Sequence, residues 1–248
     1  MKEKKIDMDV NEIILEFEAL SSEKVKENLV KLGIPSENSL GVSTSEIRKM
    51  AKMYKRDDDF AKRIWDTGVH EMKLLAVLLM EPKKCTDTKV DYYMSAIYSW
   101  DLCDHFCKNY LIKCSNYKRF IDDWVCSNKL YYKRAGFTLI ASQAINDKNI
   151  DEEELNKYFE YIEQFSDDDR VHVYRSISWA LRELGKVNLD FQEKAIIVAH
   201  NLCEGSNTTK NKIGKMSLKE LENLVKVPER KRLISRGSKM GLKKSNSL

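Results

Sequence analysis

The stretch LYYKRAGFTLIASQAI, residues 130–145, decides the fold. Two aromatics and two cations open it, and its remainder is almost entirely apolar or small, without a proline, so it reads as a buried helix whose cations sit at its start. Outward from it, apolar residues recur at helical spacing in block after block: 9–20, 22–32, 44–55, 58–66, 69–80, 87–98, 100–113, 117–127, then 152–165, 170–186, 190–203 and 217–226. Only three Pro and nine Gly interrupt 248 residues, which leaves few signals for strands or hairpins. Cap chemistry agrees: Ser43 precedes Glu46 by three, Ser21 stands before Lys24 as a poorer version, the acidic cluster 147–154 leads into Leu155, and Gly33 and Gly68 suit helix ends.

The expected fold is therefore all-α. Helices joined by short turns and paired at a period of about 35 to 40 residues indicate a curved α-α superhelix, a solenoid of diverged helix pairs. An irregular helical bundle is the alternative, because the pairs share no repeated motif. Residues 1–226 are expected to form one helical domain, and 227–248 a flexible basic tail. The overall charge of +4 is unevenly placed: from residue 226 onward there are eight Lys/Arg against one acid, Glu229, so the body is net acidic and bulk charge carries no nucleic-acid argument for it.

Several classes are excluded. The longest apolar run, within HEMKLLAVLLMEP at 70–82, is too short to cross a bilayer. The charged opening MKEKKIDMDVNEII lacks the apolar core of a signal peptide, which points to a reducing, cytoplasmic compartment for the six cysteines. Cys103, Cys107, Cys114 and His105 fit no common zinc spacing and read as thiols packed on a helix face, so neither metal nor other cofactor is expected. A glycine-rich phosphate loop is missing, which argues against nucleotide hydrolysis.

Three constellations carry chemistry. In Ser99-Trp100-Asp101-Leu102-Cys103-Asp104, Trp100 and Asp104 are four apart and share a helix face. A carboxylate beside an indole is unusual on a buried face, although Asp101 as a cap, Asp104 exposed and Trp100 as a core anchor fits the same spacing. Tyr131-Tyr132-Lys133-Arg134 presents cations next to aromatics at a helix rim, a combination suited to phosphates, or else a solvated snorkelling pair. Arg175-Ser176-Ile177-Ser178-Trp179-Ala180-Leu181-Arg182-Glu183 sets cation, indole and cation on one face, as a ligand surface or as a structural Trp held by cation–π contacts.

Together these segments resemble the AlkD family of HEAT-like-repeat DNA glycosylases, in its Trp-Asp-x-x-Asp element, its Arg-Arg-type helix start and its Lys-Ala-x-x-Trp-x-Leu-Arg-Glu element. The Gly41–Ala51 segment and His70-Glu71 extend the likeness over about residues 12 to 205, while Lys133, Arg175 and Ser176 depart from the family's Arg, Lys and Ala. The resemblance implies HEAT-like helix pairs and a monomeric enzyme that hydrolyses the N-glycosidic bond of positively charged N3- or N7-alkylated purines in double-stranded DNA. It would do so without a deep base-flipping pocket. Asp104 would be the catalytic carboxylate, Trp100 and Trp179 the aromatics around the lesion, and Arg134, Lys133, Arg175 and Arg182 the DNA contacts. Two other readings stay open: a non-catalytic helical-repeat protein that binds damaged or branched DNA, and a HEAT-like scaffold for protein partners.

Overall fold

The computed structural model describes residues 9–147 and 150–245. Fourteen α-helices lie among them: α1 (Val10–Ala19), α2 (Glu23–Lys31), α3 (Thr44–Ala51), α4 (Asp58–Trp65), α5 (His70–Leu79), α6 (Asp87–Ser95), α7 (Trp100–Asn109), α8 (Tyr117–Val125), α9 (Leu130–Asn146), α10 (Glu152–Phe165), α11 (Val171–Gly185), α12 (Leu189–Cys203), α13 (Thr208–Leu221) and α14 (Lys239–Ser245). Short 3-10 turns at Pro82–Lys84 and Leu111–Lys113 follow α5 and α7. Helix starts are set by side chains that accept orphan backbone N–H groups: Ser43 from Glu46, Asp57 from Phe60, Thr86 from Lys89, Asp151 from Glu153 and Asn188 from Phe191. Ser22, rather than the expected Ser21, precedes α2, and its hydroxyl makes no cap hydrogen bond. Gly33 and Gly68 both have positive φ just beyond α2 and α4, as their positions suggested.

The chain forms two compact units, residues 1–117 and 118–248. In the first, α5 is buried on nearly every side and packs against α3, α4 and α7. In the second, α9 plays that part, with every position from Lys133 to Ala144 buried, and its main neighbour is α11. A helix apolar all round has no solvent face, so it becomes the centre of its unit. Helices two apart in sequence lie against each other, α3 on α5 and α5 on α7, then α9 on α11 and α11 on α13. Such alternate packing is what stacked helix pairs produce.

The end of the chain differs from its sequence pattern. The block expected as a helix over 217–226 belongs to α13, which starts earlier, capped by the Asn207 carboxamide, and stops at Leu221. Leu224–Val225 (β1) then pairs antiparallel with Ile234–Ser235 (β2). Leu221, Leu224, Val225 and Val227 recur at spacings that mimic a helix, while the true helix carries the polar sequence TTKNKIGKM over 208–216. Beyond residue 226, in the stretch expected as a flexible tail, Val227 and Leu233 are each only 2% exposed, and the Leu233 N–H donates to the Lys186 carbonyl at 2.8 Å. Among the described residues no helix is long and apolar enough to cross a membrane.

Candidate functional site

The residues singled out in sequence fall on both units: Trp100 and Asp104 on α7 in the first, Lys133 and Arg134 on α9 and Arg175, Trp179 and Arg182 on α11 in the second.

On α7, Trp100 is half-buried and its indole N–H donates to the Leu32 carbonyl at 3.0 Å, so the ring is held at the helix start with one edge tied down. One turn on, Asp104 is 8% exposed rather than solvent-facing, with the Lys108 ammonium 3.8 Å away. Asp101 does not simply cap the helix. Its carboxylate accepts from the Ser99 hydroxyl at 2.7 Å and lies 2.9 Å from His70 Nε2, whose Nδ1 lies 2.9 Å from the Tyr98 hydroxyl. A carboxylate can only accept, so Nε2 carries a hydrogen and donates it to Asp101. Burial alone would raise the Asp101 pKa, but the His70 contact, the Ser99 hydroxyl and the Leu102 N–H outweigh it and hold the group below its ordinary value. His70, 1% exposed, thereby fixes the first turn of α7 and with it the neighbouring Trp100.

Glu71, the next residue, is equally buried and binds the loop before α3. It accepts from Ser39 Oγ at 2.6 Å and from the N–H groups of Leu40 and Gly41 at 2.9 Å and Val42 at 3.2 Å. Gly41 makes this wrap possible: its φ is +78°, and a Cβ there would lie 2.7 Å from the Ser22 carbonyl oxygen. The Gly41-Val42-Ser43 and His70-Glu71 segments are thus parts of one support. Their sequence marked them as a pair of segments and gave no sign of the bonds between them. The available signal was two polar residues opening an otherwise apolar helix, which need partners once buried.

His105 is also buried. Its Nε2 donates to the Leu74 carbonyl at 3.0 Å, and desolvation, helped by the Arg48 charge, pushes its pKa down to about 4.

In the second unit, Lys133 and Arg134 lie inside and not at a rim, at 7% and 6% exposure. Lys133 Nζ is 3.2 Å from Asp168 and stands 4.8 Å from the centre of the Phe165 ring. Arg134 Nη1 donates to the His172 carbonyl at 2.7 Å, tying α9 to the start of α11. Burial would raise the Asp168 pKa; hydrogen bonds from Arg170 and Lys133 instead hold it below the usual carboxylate value.

On α11, Trp179 is half-buried and its indole donates to Glu183 at 3.3 Å. Glu183 also takes Lys186 at 2.8 Å and Arg232 at 2.7 Å. Arg182 pairs with Glu220 at 2.7 Å. Arg175 is exposed, and no carboxylate of the described residues lies within ion-pairing distance of it. Of the four expected cationic contacts, then, one is open to solvent, one half-open and two internal. Cys103, Cys107 and Cys114 are buried, and among the described residues no three His, Cys, Asp or Glu side chains are grouped to hold a metal.

Stacked helix pairs carrying a buried carboxylate one turn from a half-open indole define a helical-repeat protein of the HEAT-like class. A solved structure of a protein family related to the HEAT-like-repeat DNA glycosylases, and described as having affinity for branched DNA, has the same fold. It matches with a TM-score of 0.72 over 97% of this chain and 95% of that one, at 18% identity. Residues 13–220 match the family model for DNA alkylation repair enzymes, and the chain belongs to that family. Among curated protein sequences nothing matches.

Proposed function

We propose that the protein is a DNA glycosylase that releases positively charged N3- or N7-alkylated purines from duplex DNA, with Asp104 as its carboxylate. The observation that carries this reading is the turn of α7 that sets Asp104, largely shielded from water, beside the half-open indole of Trp100. An alkylated, cationic purine is already a good leaving group, so no acid is needed to protonate it. The reaction still requires stabilisation of the positive charge that builds on the deoxyribose as the bond breaks. A fixed carboxylate in a dry setting supplies that and aligns the attacking water, and an indole face adds a cation–π contact. Trp179 is proposed as a second aromatic contact to the lesion. Arg175 and Arg182 are the cations proposed to reach phosphates. Lys133 and Arg134 would act at one remove, by fixing α9 against α11. Since the lesion's own lability does much of the work, neutral adducts are expected to be poor substrates.

The test is release of 7-methylguanine from methylated duplex by the wild type and by Asp104→Asn. Removing roughly 3 to 4 kcal/mol of charge stabilisation slows the step on the order of several hundred-fold. Asp104→Asn with wild-type rate would refute the assignment.

A second reading has one specific observation behind it: the relative with the same fold is described by its affinity for branched DNA. On that reading the protein binds junctions, releases no base, and uses Trp100 and Trp179 to stack on exposed bases. Tight junction binding with no release of 7-methylguanine by the wild type would establish it.

A further inference from the structure

The first unit holds a group of cations that none of the chemistry above uses. Arg48 on α3, Lys52 just after it, Arg56 in the following loop, Lys83 in the turn after α5 and Lys113 in the turn after α7 are all exposed. They border two open depressions of about 430 and 370 Å³ that share Arg56: Arg48 and Lys52 line one, Lys83 and Lys113 the other, where Glu81 also lines the wall with its carboxylate paired to Lys84. No carboxylate of the described residues lies within 4.0 Å of any of the five. Elsewhere in the same unit lysines are routinely paired, as Lys49 is with Glu46, Lys62 with Asp66, Lys84 with Glu81 and Lys89 with Asp58.

Helix ends account for part of the grouping. Arg56 donates to the Met80 carbonyl at 3.3 Å and Lys113 to the Asn109 carbonyl at 2.7 Å, each at the C-terminal, negative end of a helix. Two carbonyl contacts do not balance five cations. Partial desolvation is the main cause that holds Lys113 below the ordinary lysine pKa, and the Arg56 and Arg48 charges add to it in the same direction. Cations left to repel one another around open hollows are stabilised when a polyanion displaces their counterions.

We propose that Arg48, Lys52, Arg56, Lys83 and Lys113 form a docking site for the phosphodiester backbone of DNA, sharing no residue with the set around Asp104. The site reads charge and spacing and not sequence, so it binds undamaged DNA, and it would hold duplex flanking a lesion or a second arm of a junction. The inference rests on the reading that the protein acts on DNA.

The test is fluorescence anisotropy of the full chain with a labelled, undamaged duplex and with a labelled four-way junction, across a KCl series. The variant is Arg48→Gln/Arg56→Gln/Lys113→Gln. The comparison variant, Lys31→Gln/Lys118→Gln/Lys157→Gln, removes the same charge from lysines already paired with Glu27, Glu154 and Asp122. Removing one phosphate-binding cation lowers the slope of log K against log salt by about 0.9, so the cluster variant is expected to drop by about 2 to 3 in slope. Its affinity at about 0.1 M salt should fall at least tenfold, while the comparison variant changes little. All six side chains are exposed and the cluster variant loses only the two helix-end carbonyl contacts of Arg56 and Lys113, so urea midpoints of both variants should stay within about 0.5 M of the wild type. Equal losses from both variants overturn the site and leave the glycosylase reading standing if 7-methylguanine is still released. Wild type that neither binds DNA nor releases base overturns both. Binding to phosphatidylserine vesicles that is abolished in the cluster variant, with DNA binding unchanged, assigns the patch to a membrane surface and overturns the proposal.

Discussion

Removing the Glu71 carboxylate should be among the most damaging single changes in the first unit. In the Glu71→Ala variant four donors, the Ser39 hydroxyl and the N–H groups of Leu40, Gly41 and Val42, lose a charged acceptor at a site 1% exposed to solvent. A hydrogen bond to a charged group is worth about 1.5 to 3 kcal/mol net, and a buried donor left without a partner costs about 1 to 3. These terms are not additive, since the loop can relax and admit water, and the loss of a buried ionic partner typically totals about 3 to 5 kcal/mol. Glu71→Gln keeps the shape and one accepting oxygen but turns an amide N–H₂ toward donors, so it should cost about half as much. With a urea m-value of about 3 kcal/mol per molar for a chain of this size, the alanine variant lowers the midpoint by about 1 M or more. The assay is equilibrium urea unfolding followed by tryptophan fluorescence, which Trp65 and Trp100 make sensitive to the first unit. A midpoint shift under about 0.3 M would refute the argument that this carboxylate holds the loop.

Other expectations rest on the same geometry. His105 titrates near 4 when folded and near 6.5 when unfolded, so its neutral form contributes fully above about pH 6.5, and the contribution is lost as pH falls toward 4. That amounts to about 3 kcal/mol, and a urea midpoint that stays flat between pH 7 and 4, or a His105→Gln variant with undiminished slope, would contradict it. Asp168 is held below its ordinary pKa, so its contribution is present above that value and disappears only as pH drops through the lower folded one; Asp168→Asn should flatten the acid limb of stability below about pH 4. Lys133→Ala removes one of the two cations on Asp168 and leaves Arg170 in place, so it should cost about 1.5 to 3 kcal/mol, the worth of one buried charged hydrogen bond, whereas Arg175→Ala should leave stability alone and lower the salt slope of DNA binding by about 0.9; the reverse pattern would exchange their roles. Glu183→Gln weakens the anchor of Arg232 and should speed trypsin cleavage at Arg230 and Lys231, visible by mass spectrometry before global unfolding.

The helical repeat was legible because it rests on apolar periodicity, which needs no knowledge of partners. Periodicity failed at 217–226, where apolar residues three or four apart serve a helix end and a short hairpin, and at 208–216, where a real helix has few apolar residues to show. The order and spacing of three segments nominated the candidate residues, while their burial was not readable. A lysine and an arginine at a helix start look the same at a rim or inside, and the difference for Lys133 is made by Asp168, 35 positions away. His70 and Asp101 likewise lie 31 positions apart, a pairing that helix packing creates and no local pattern announces.

The two helices buried all round, α5 and α9, stand one in each compact unit, and this has a bearing on hydrogen exchange. Amides exchange through openings, and an amide at the centre of a packed unit exchanges only when that whole unit opens. Each unit should therefore contain its own set of slowest amides, in 74–79 and in 135–144, protected to the free energy of its own opening. If one unit opens more readily than the other, deuterium uptake will separate into two plateaus along the sequence, and a destabilising change such as Glu71→Ala will accelerate the first set and leave the second near its original rate.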